Sequence, residues 1–429
     1  MAITFFFTKK FFNQRIAAIT SMLYSVSPFT ILYSRKMWNP DLSFPFIIIV
    51  MYSLFSLVVG RKSIYIIPLF LSYAVVIQIQ PITIFLAPIL LYYVLKEHGL
   101  IKIRDLLLGI FAGIASLVPF IYGQLNSNSG DVNSFFLTFS YFHFNHLNPQ
   151  VIGSLASLTS GSGFDYVLGQ SARAFYSSIF YINDFFFVEN LILYAGIAFL
   201  VGVVILGVPR NRLDQDEEKQ RKAKKYTILL MWIILPTLIL LFFNPPYGLG
   251  PYEIMMFVPA NFLVVGILFD YPIYHISNLN VFRRRNMGLK IGKAIIVAII
   301  VFIILIQVGF DLGFNSFLSH YGGTSGDYEI GVQYKIQVAS FIAQNSNGSS
   351  FTISYNFTPG QIGLEYYYLL SMYDKTPSTS ANLHYIVVNS LASPNKFFLS
   401  QLSDYRHKAF GPLAIYFYDE SNSTSIVLR

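Results

Sequence analysis

The basic residues of this chain fall almost entirely on one side of a repeated apolar pattern. Nine apolar stretches lie between Ile16 and Phe310, each long enough to cross a bilayer or to pair as a short re-entrant hairpin. Their approximate bounds are 16–34, 42–60, 64–79, 81–95, 106–125, 187–208, 226–244, 252–270 and 294–310. With the intervening loops assigned alternately to two sides, 20 of the 29 Lys and Arg share one side. They are Lys9, Lys10 and Arg15; Arg61 and Lys62; Lys96, Lys102 and Arg104; the seven between Arg210 and Lys225; and Arg283, Arg284, Arg285, Lys290 and Lys293. The opposite loops of the apolar region carry only Arg35, Lys36 and Arg173. Short basic loops resist translocation, so the rich side is expected to be cytoplasmic and everything after Phe310 to lie outside. The fold class that follows is an α-helical multi-pass protein of the cell membrane: residues 1–310 form the transmembrane domain and 311–429 a small extracytoplasmic α+β domain.

Composition agrees. Hydrophobic residues make up 54% and charged residues only 12%, where a soluble domain carries about 25% charge. Tyrosines cluster at the ends of the apolar stretches (Tyr24, Tyr33, Tyr92, Tyr93, Tyr247, Tyr252, Tyr271, Tyr274), as an interfacial belt requires. The net charge of +8 is accounted for by the basic loops and has no stacking platform beside it, so nucleic acid is excluded as a partner. With no Cys there are neither disulfides nor thiolate chemistry. Met1–Phe7 is apolar but too short to span, and it lacks the features of a signal peptide.

The third and fourth stretches are short and meet at Gln78-Ile79-Gln80-Pro81, which predicts a helical hairpin with its tip at the outer face. The loop 126–186 is expected to be external, with Ser134–Phe144 and Phe175–Phe186 in the interface plane. The loop 209–225 mixes four acids with seven bases and reads as a solvated cytoplasmic helical extension. Beyond Asp311 the chain is rich in Ser, Asn, Tyr and Gly. Strands are expected at Phe351–Tyr355, His384–Val388, Ala414–Tyr418 and Ser425–Leu428, with a helix over Val332–Ala343. Three glycosylation sequons, at Asn347, Asn356 and Asn422, all fall in this segment.

Chemistry is concentrated in few places. Ser34-Arg35-Lys36-Met37-Trp38-Asn39-Pro40-Asp41 packs cations and an acid at the mouth between the first two spans. Arg35 has the fork that holds a phosphate, and Asp41 can pair with it or orient a hydroxyl. The same residues also suit an interfacial ion pair at an ordinary helix start, with Pro40 at its first turn. Asn244–Glu253 is a Pro- and Gly-rich turn whose backbone N–H groups can meet a ligand; Glu253 reads either as a site acid or as a charge complementing a helix N-terminus. Gln78 and Gln80 are polar groups at a membrane face, suited to a ligand or to a helix-to-helix hydrogen bond. His143 and His146 have metal-ligand spacing but no third ligand nearby, so a divalent metal is an open option and surface histidines the plainer one. Asp165 suits a turn or a catalytic acid. No phosphate-cradling glycine loop, serine-hydrolase order or zinc-protease pattern is present. Few acids lie inside the apolar stretches, which argues against an ion-coupled transporter.

Together these stretches resemble the polytopic glycosyltransferases that use polyprenyl-phosphate sugars, the GT-C fold superfamily of protein O-mannosyltransferases and lipid A aminoarabinose transferases. Phe11-Phe12-Asn13-Gln14-Arg15-Ile16-Ala17-Ala18 is similar to the family's "FGRRAA" turn, followed by Ser27-Pro28, Ser34-Arg35 and Pro40-Asp41 in the order "SP … SR … PD". Gln78-Ile79-Gln80-Pro81 resembles the tip of the family's short helix pair. Leu106–Gly109 through Leu117-Val118-Pro119 and Tyr122-Gly123-Gln124 looks like its next span, and Pro251-Tyr252 with Pro259 looks like the opening of a late helix. The likeness covers Phe11 to Phe310. It implies that Arg35, Asn39, Asp41, Gln78, Gln80, Tyr252 and Glu253 line a site for a polyprenyl-phosphate sugar donor, with a protein or lipid acceptor outside. Two departures are expected to matter. Glu253 stands where many relatives have His or Arg. The family's catalytic carboxylate belongs to a loop ahead of the "FGRR" turn, and only ten residues precede Phe11 here, leaving Asp41 as the best remaining acid. The expected function is a membrane glycosyltransferase, or a shortened member of that group. The rival readings are a non-catalytic membrane scaffold that displays the outer domain and, more remotely, a lipid or solute transporter.

Overall fold

A computed structural model describes residues 1–35, 42–126, 140–141, 146–160, 167–177, 182–207, 217–244, 250–278, 287–324, 330–356, 365–389, 402 and 405–419. The chain forms two compact units: Met1–Gly163 with Asn183–Gly309, and Phe164–Ile182 with Phe310–Arg429.

The first unit is helical. α1 (Ala2–Phe11) ends before Asn13, whose side chain accepts the Ile16 N–H at 2.7 Å and so caps α2 (Gln14–Val26). Pro28 cannot donate to the turn before it, and α3 (Pro28–Arg35) leaves at 65° to α2. The stretch expected to be one straight span over 16–34 is therefore a bent pair. α4 covers Ser43–Val58 and α5 covers Ile66–Ile79. Gln80 is extended (φ −144°, ψ 93°), as a residue before proline must be, and this breaks α5 from the 3-10 turn Pro81–Leu86 that leads into α6 (Ala87–Lys96). The expected hairpin is thus present and its tip is Gln80-Pro81. α7 (Ile103–Asn126) lies against α5 at two glycines: a Cβ on Gly109 would meet the Ile66 carbonyl at 3.0 Å, and one on Gly113 the Phe70 carbonyl at 3.4 Å. α8 (Gln150–Ser160) follows, then, after α9 (Ala172–Ser177) of the second unit, α10 (Ile182–Gly207), α11 (Glu217–Leu240), α12 (Val258–Asn278) and α13 (Met287–Tyr321), whose end from Phe310 belongs to the second unit.

Five helical stretches among the described residues are long and apolar enough to cross a membrane: Ile103–Gly123, Phe187–Ile205, Ala223–Leu240, Glu253–Ile273 and Ile291–Tyr321. The bent pair α2–α3 makes a sixth. The other three expected spans correspond to shorter apolar helices. α4, at 16 residues, reaches about 24 Å against a hydrocarbon core of about 30 Å. The third and fourth stretches are the two expected hairpin arms, and among the described residues five helices, or six with the bent pair, are long enough to cross, so nine spans are not confirmed. Glu253–Ile273 is 89% buried, against 11–39% for the other four, so α12 is the packed centre of the unit. α7 and α13 leave Leu107, Phe111, Ile114, Phe302 and Leu305 exposed, as lipid-facing residues are.

In the second unit the end of α13 runs past Phe310, the expected end of the last span, to Tyr321. Phe310, Phe314 and Phe317 recur at helical spacing and surround the buried ring of Phe175 on α9, with centroids 5.2, 5.8 and 5.4 Å away. Phe175 is thereby part of this unit's core. The C-terminal part is a four-stranded sheet in the order β1 (Phe351–Asn356), β2 (Leu383–Asn389), β4 (Leu413–Asp419), β3 (Arg406–Phe410). β1 and β2 are parallel; the other pairings are antiparallel. α14 (Val332–Asn345) and α15 (Glu365–Ser371) pack Val338, Ala339, Ile342, Tyr366 and Leu370 against Phe351, Tyr385, Val387, Leu413 and Ile415. Three expected strands and the expected helix are present. Ser425–Leu428 lies outside the described residues. β3 was not expected because it reads Arg-His-Lys-Ala-Phe. It is an edge strand, where charge is tolerated and guards against pairing with another chain.

Candidate functional site

The 3-10 helix Pro251–Phe257 is the hub of the first unit. It packs against α4, α8, the 3-10 turn Pro81–Leu86 and α12, which continues from it. Trp232 of α11 is fully buried and donates from Nε1 to the Met256 carbonyl at 3.0 Å, fixing the hub from a further side. α3 packs against α8, and α4 packs against the hub itself.

Glu253 opens the hub as the third residue of a cap. Its Oε2 accepts the Gly250 N–H at 2.8 Å, while the Gly250 carbonyl accepts the Glu253 N–H at 3.0 Å. This is the charge-complemented helix start anticipated as one of its two readings. The backbone of Tyr252 lies in the same 3-10 helix. Gln78 donates from Nε2 to the carbonyls of Ala74, at 3.0 Å, and Ser116, at 3.2 Å, tying α5 to α7. That is a helix-to-helix bond within the hairpin's support. Gln80 is buried at the tip, and its carbonyl accepts from Thr83, from N–H at 3.0 Å and from Oγ1 at 2.7 Å. The structure thus places the Gln80 turn and the Glu253 helix on adjoining elements.

Arg35 is the last residue of α3. Asn39 and Asp41 lie outside the described residues, as do His143, Asp165 and Asn422. His146 is exposed, and its carbonyl accepts from Asn244 Nδ2 at 3.0 Å. Among the described residues no group of three His, Cys, Asp or Glu is placed to hold a metal. Asn347 is exposed in the turn after α14, at a φ of +43° that asparagine adopts more readily than most residues; Asn356 ends β1.

Buried acids were missed by the sequence reading. Asp270 of α12 accepts from Arg15 Nε at 2.8 Å and Asn13 Nδ2 at 2.9 Å, joining the start of α2 to the end of the central helix. Asp105 accepts from Ser63 Oγ at 2.7 Å. Glu189 of α10 accepts from Gln307 Nε2 of α13 at 2.8 Å. Each acid lies within or next to an apolar run, and that isolation was the available signal.

No protein-family model matches the sequence, and comparison with curated proteins finds no relative. Among solved structures, ArnT from Cupriavidus metallidurans bound to undecaprenyl phosphate is similar, with a TM-score of 0.53, 12% identity, and a match over 97% of this chain and 81% of that one. Its apo state gives a TM-score of 0.53 and 13% identity, over 98% of this chain and 81% of that one. At such identity the likeness is one of backbone architecture, and it runs through both units. What the comparison shows is the fold: this chain shares the helical membrane architecture of ArnT.

Proposed function

We propose that the protein is a membrane glycosyltransferase that moves a sugar from a polyprenyl-phosphate donor to an acceptor. The observation that carries this is the fold likeness across 97% of the chain to ArnT, which was crystallised with undecaprenyl phosphate. The packing around Pro251–Phe257 supports it, because the 3-10 turn after Gln80 and α4, which follows Asp41, both pack on that helix. In this reading the acceptor oxygen or nitrogen attacks the anomeric carbon, and the sugar–phosphate C–O bond breaks. Polyprenyl phosphate leaves with the electron pair, and Asp41 takes the acceptor's proton. Arg35 balances the charge that grows on the leaving phosphate. Glu253 holds the hub and takes no part in the chemistry. The sheet domain lies on the outer face, where it selects the acceptor and carries any glycan on Asn347.

The test is the full chain, purified and reconstituted with polyprenyl-phosphate sugars, with released polyprenyl phosphate as the readout. Transfer is expected, and Arg35→Ala and Asp41→Ala are each expected to lower it by about 10²–10³-fold at unchanged protein levels. Binding of polyprenyl phosphate without any transfer would turn the reading to a non-catalytic scaffold of the same fold. Activity indifferent to both substitutions would remove Arg35 and Asp41 from the site.

A further inference from the structure

Glu189 lies two turns into α10, within the membrane-crossing stretch Phe187–Ile205, and is only 6% exposed. Its Oε1 accepts from Gln307 Nε2 at 2.8 Å, and that nitrogen also faces the Thr159 carbonyl at 3.3 Å. Glu189 Oε2 and Gln307 Oε1 have no hydrogen-bond partner among the described residues, nor does Glu189 have a cationic one there. Both side chains line a cavity of ≈ 20 Å³, the room of about one water, walled also by Thr159, Leu23, Phe262 and Ile303. Thr159 Oγ1 spends its hydrogen on the Ala156 carbonyl at 2.8 Å, so it too offers lone pairs.

Every polar atom left over here is an acceptor. A water would supply two hydrogens but no charge, and an ionised carboxylate in this setting would still cost several kcal/mol. What the arrangement lacks is one positive charge of small size. We propose that Glu189, Gln307 and Thr159 form a binding site for a single small monovalent cation, a proton or a sodium ion. Oxygen ligands alone suit either, and the space beside them is that of about one water. Gln307 donates to one carboxylate oxygen and turns its own oxygen to the cation. Of the described residues that line the cavity, Glu189 is the ionisable one: α2 contributes Leu23, α12 Phe262 and Val265, α13 Ile303. Titratable groups nearby are Tyr24, next to Leu23, whose ring meets Phe262 edge-on at 5.6 Å, and the buried Asp311, one turn beyond Gln307 on α13.

The full chain in lipid nanodiscs tests this by its thermal midpoint, without reference to sugar transfer. In the sodium arm, replacing choline by sodium at constant ionic strength raises the midpoint by about 3 °C at about a hundred times the dissociation constant. Glu189→Gln abolishes the rise. In the proton arm sodium does nothing. The midpoint falls as pH rises, because the folded state binds the extra proton and loses that advantage once the proton leaves. Glu189→Gln flattens that slope and removes the infrared carbonyl band of a buried carboxylic acid. If Glu189→Gln does not fold, Gln307→Met removes one acceptor and one donor and keeps the carboxyl; a weakened sodium response, or in the proton arm a pH response displaced from that of the wild type, is then expected. A wild type that responds to neither sodium nor pH and shows no such band overturns the site. So does an identical response in the variants.

Discussion

Replacing Arg15 by Ala is expected to destabilise the protein more than replacing its partner Asp270 by Asn, although both break the same ion pair. The difference comes from where the two charges sit. The Asp270 side chain is 6% exposed and that of Arg15 49%. After Asp270→Asn the guanidinium turns to solvent, and the neutral amide left inside still meets Asn13. After Arg15→Ala a carboxylate stays buried, and among the described residues the Asn13 amide at 2.9 Å is the side-chain donor left to it. Breaking a fully buried pair costs about 3–5 kcal/mol, and leaving a charged group short of a bond about 1–3. The solvent around Arg15 screens the pair and places the cost at the lower end. We expect about 2–3 kcal/mol for Arg15→Ala, about 1 for Asp270→Asn, and most of the first loss recovered in the double variant. Unfolding entropy in a chain of 429 residues is about 0.9 kcal/mol/K, so the thermal midpoint moves by only about 1 °C per kcal/mol. Equilibrium denaturation in mixed detergent is the better assay, read as a double-mutant cycle. Equal or reversed single losses, or losses that simply add, would refute the reasoning.

Other perturbations follow from the same geometry. Glu253→Gln keeps an acceptor for the Gly250 N–H and is expected to preserve sugar transfer, while Glu253→Ala loses about 1 kcal/mol of stability; a transfer rate abolished in Glu253→Gln would make this acid part of the chemistry. Gly109→Val drives a β-branched side chain into the Ile66 carbonyl and is expected to cost about 1–3 kcal/mol, whereas Gly113→Ala has room; equal denaturation midpoints for the two would contradict the α5–α7 packing. Burial holds the hydroxyls of Tyr355 and Tyr385 above the ordinary tyrosine range, the latter despite a bond from Asn345 Nδ2 at 2.8 Å. Unfolded tyrosines release their protons near pH 10, so the folded sheet holds the extra protons and loses stability as pH rises beyond about 10. Tyr385→Phe is expected to flatten that fall, as followed by denaturation against pH.

The backbone plan was legible because its signals are local. Gln80-Pro81 forces an extended residue and hence the hairpin tip, Pro28 forces a break, and the β-branched and aromatic runs of β2 and β4 mark strands. Lengths were less legible. Composition alone does not separate a 16-residue helix that stops short of a bilayer from one that crosses it, and α13 keeps a helical apolar stripe through Phe310, Phe314 and Phe317 beyond the point where hydropathy falls. β3 stayed hidden because an edge strand need not be apolar.

The ionisable groups show why a site is harder to read than a fold. A scan of apolar windows averages over about twenty residues, and a lone acid barely lowers the mean. The energetics work the other way, since one unpartnered carboxylate in the interior outweighs several apolar neighbours. Such an acid therefore predicts a partner without saying where it lies. Asp105 finds Ser63 at a separation of 42 residues, Glu189 finds Gln307 at 118, and Asp270 finds Arg15 at 255. None of these pairs has a local spacing rule; each is made when helices distant in sequence pack side by side. Scarcity makes each remaining acid more informative, because the fold had to bring a distant donor or cation to it.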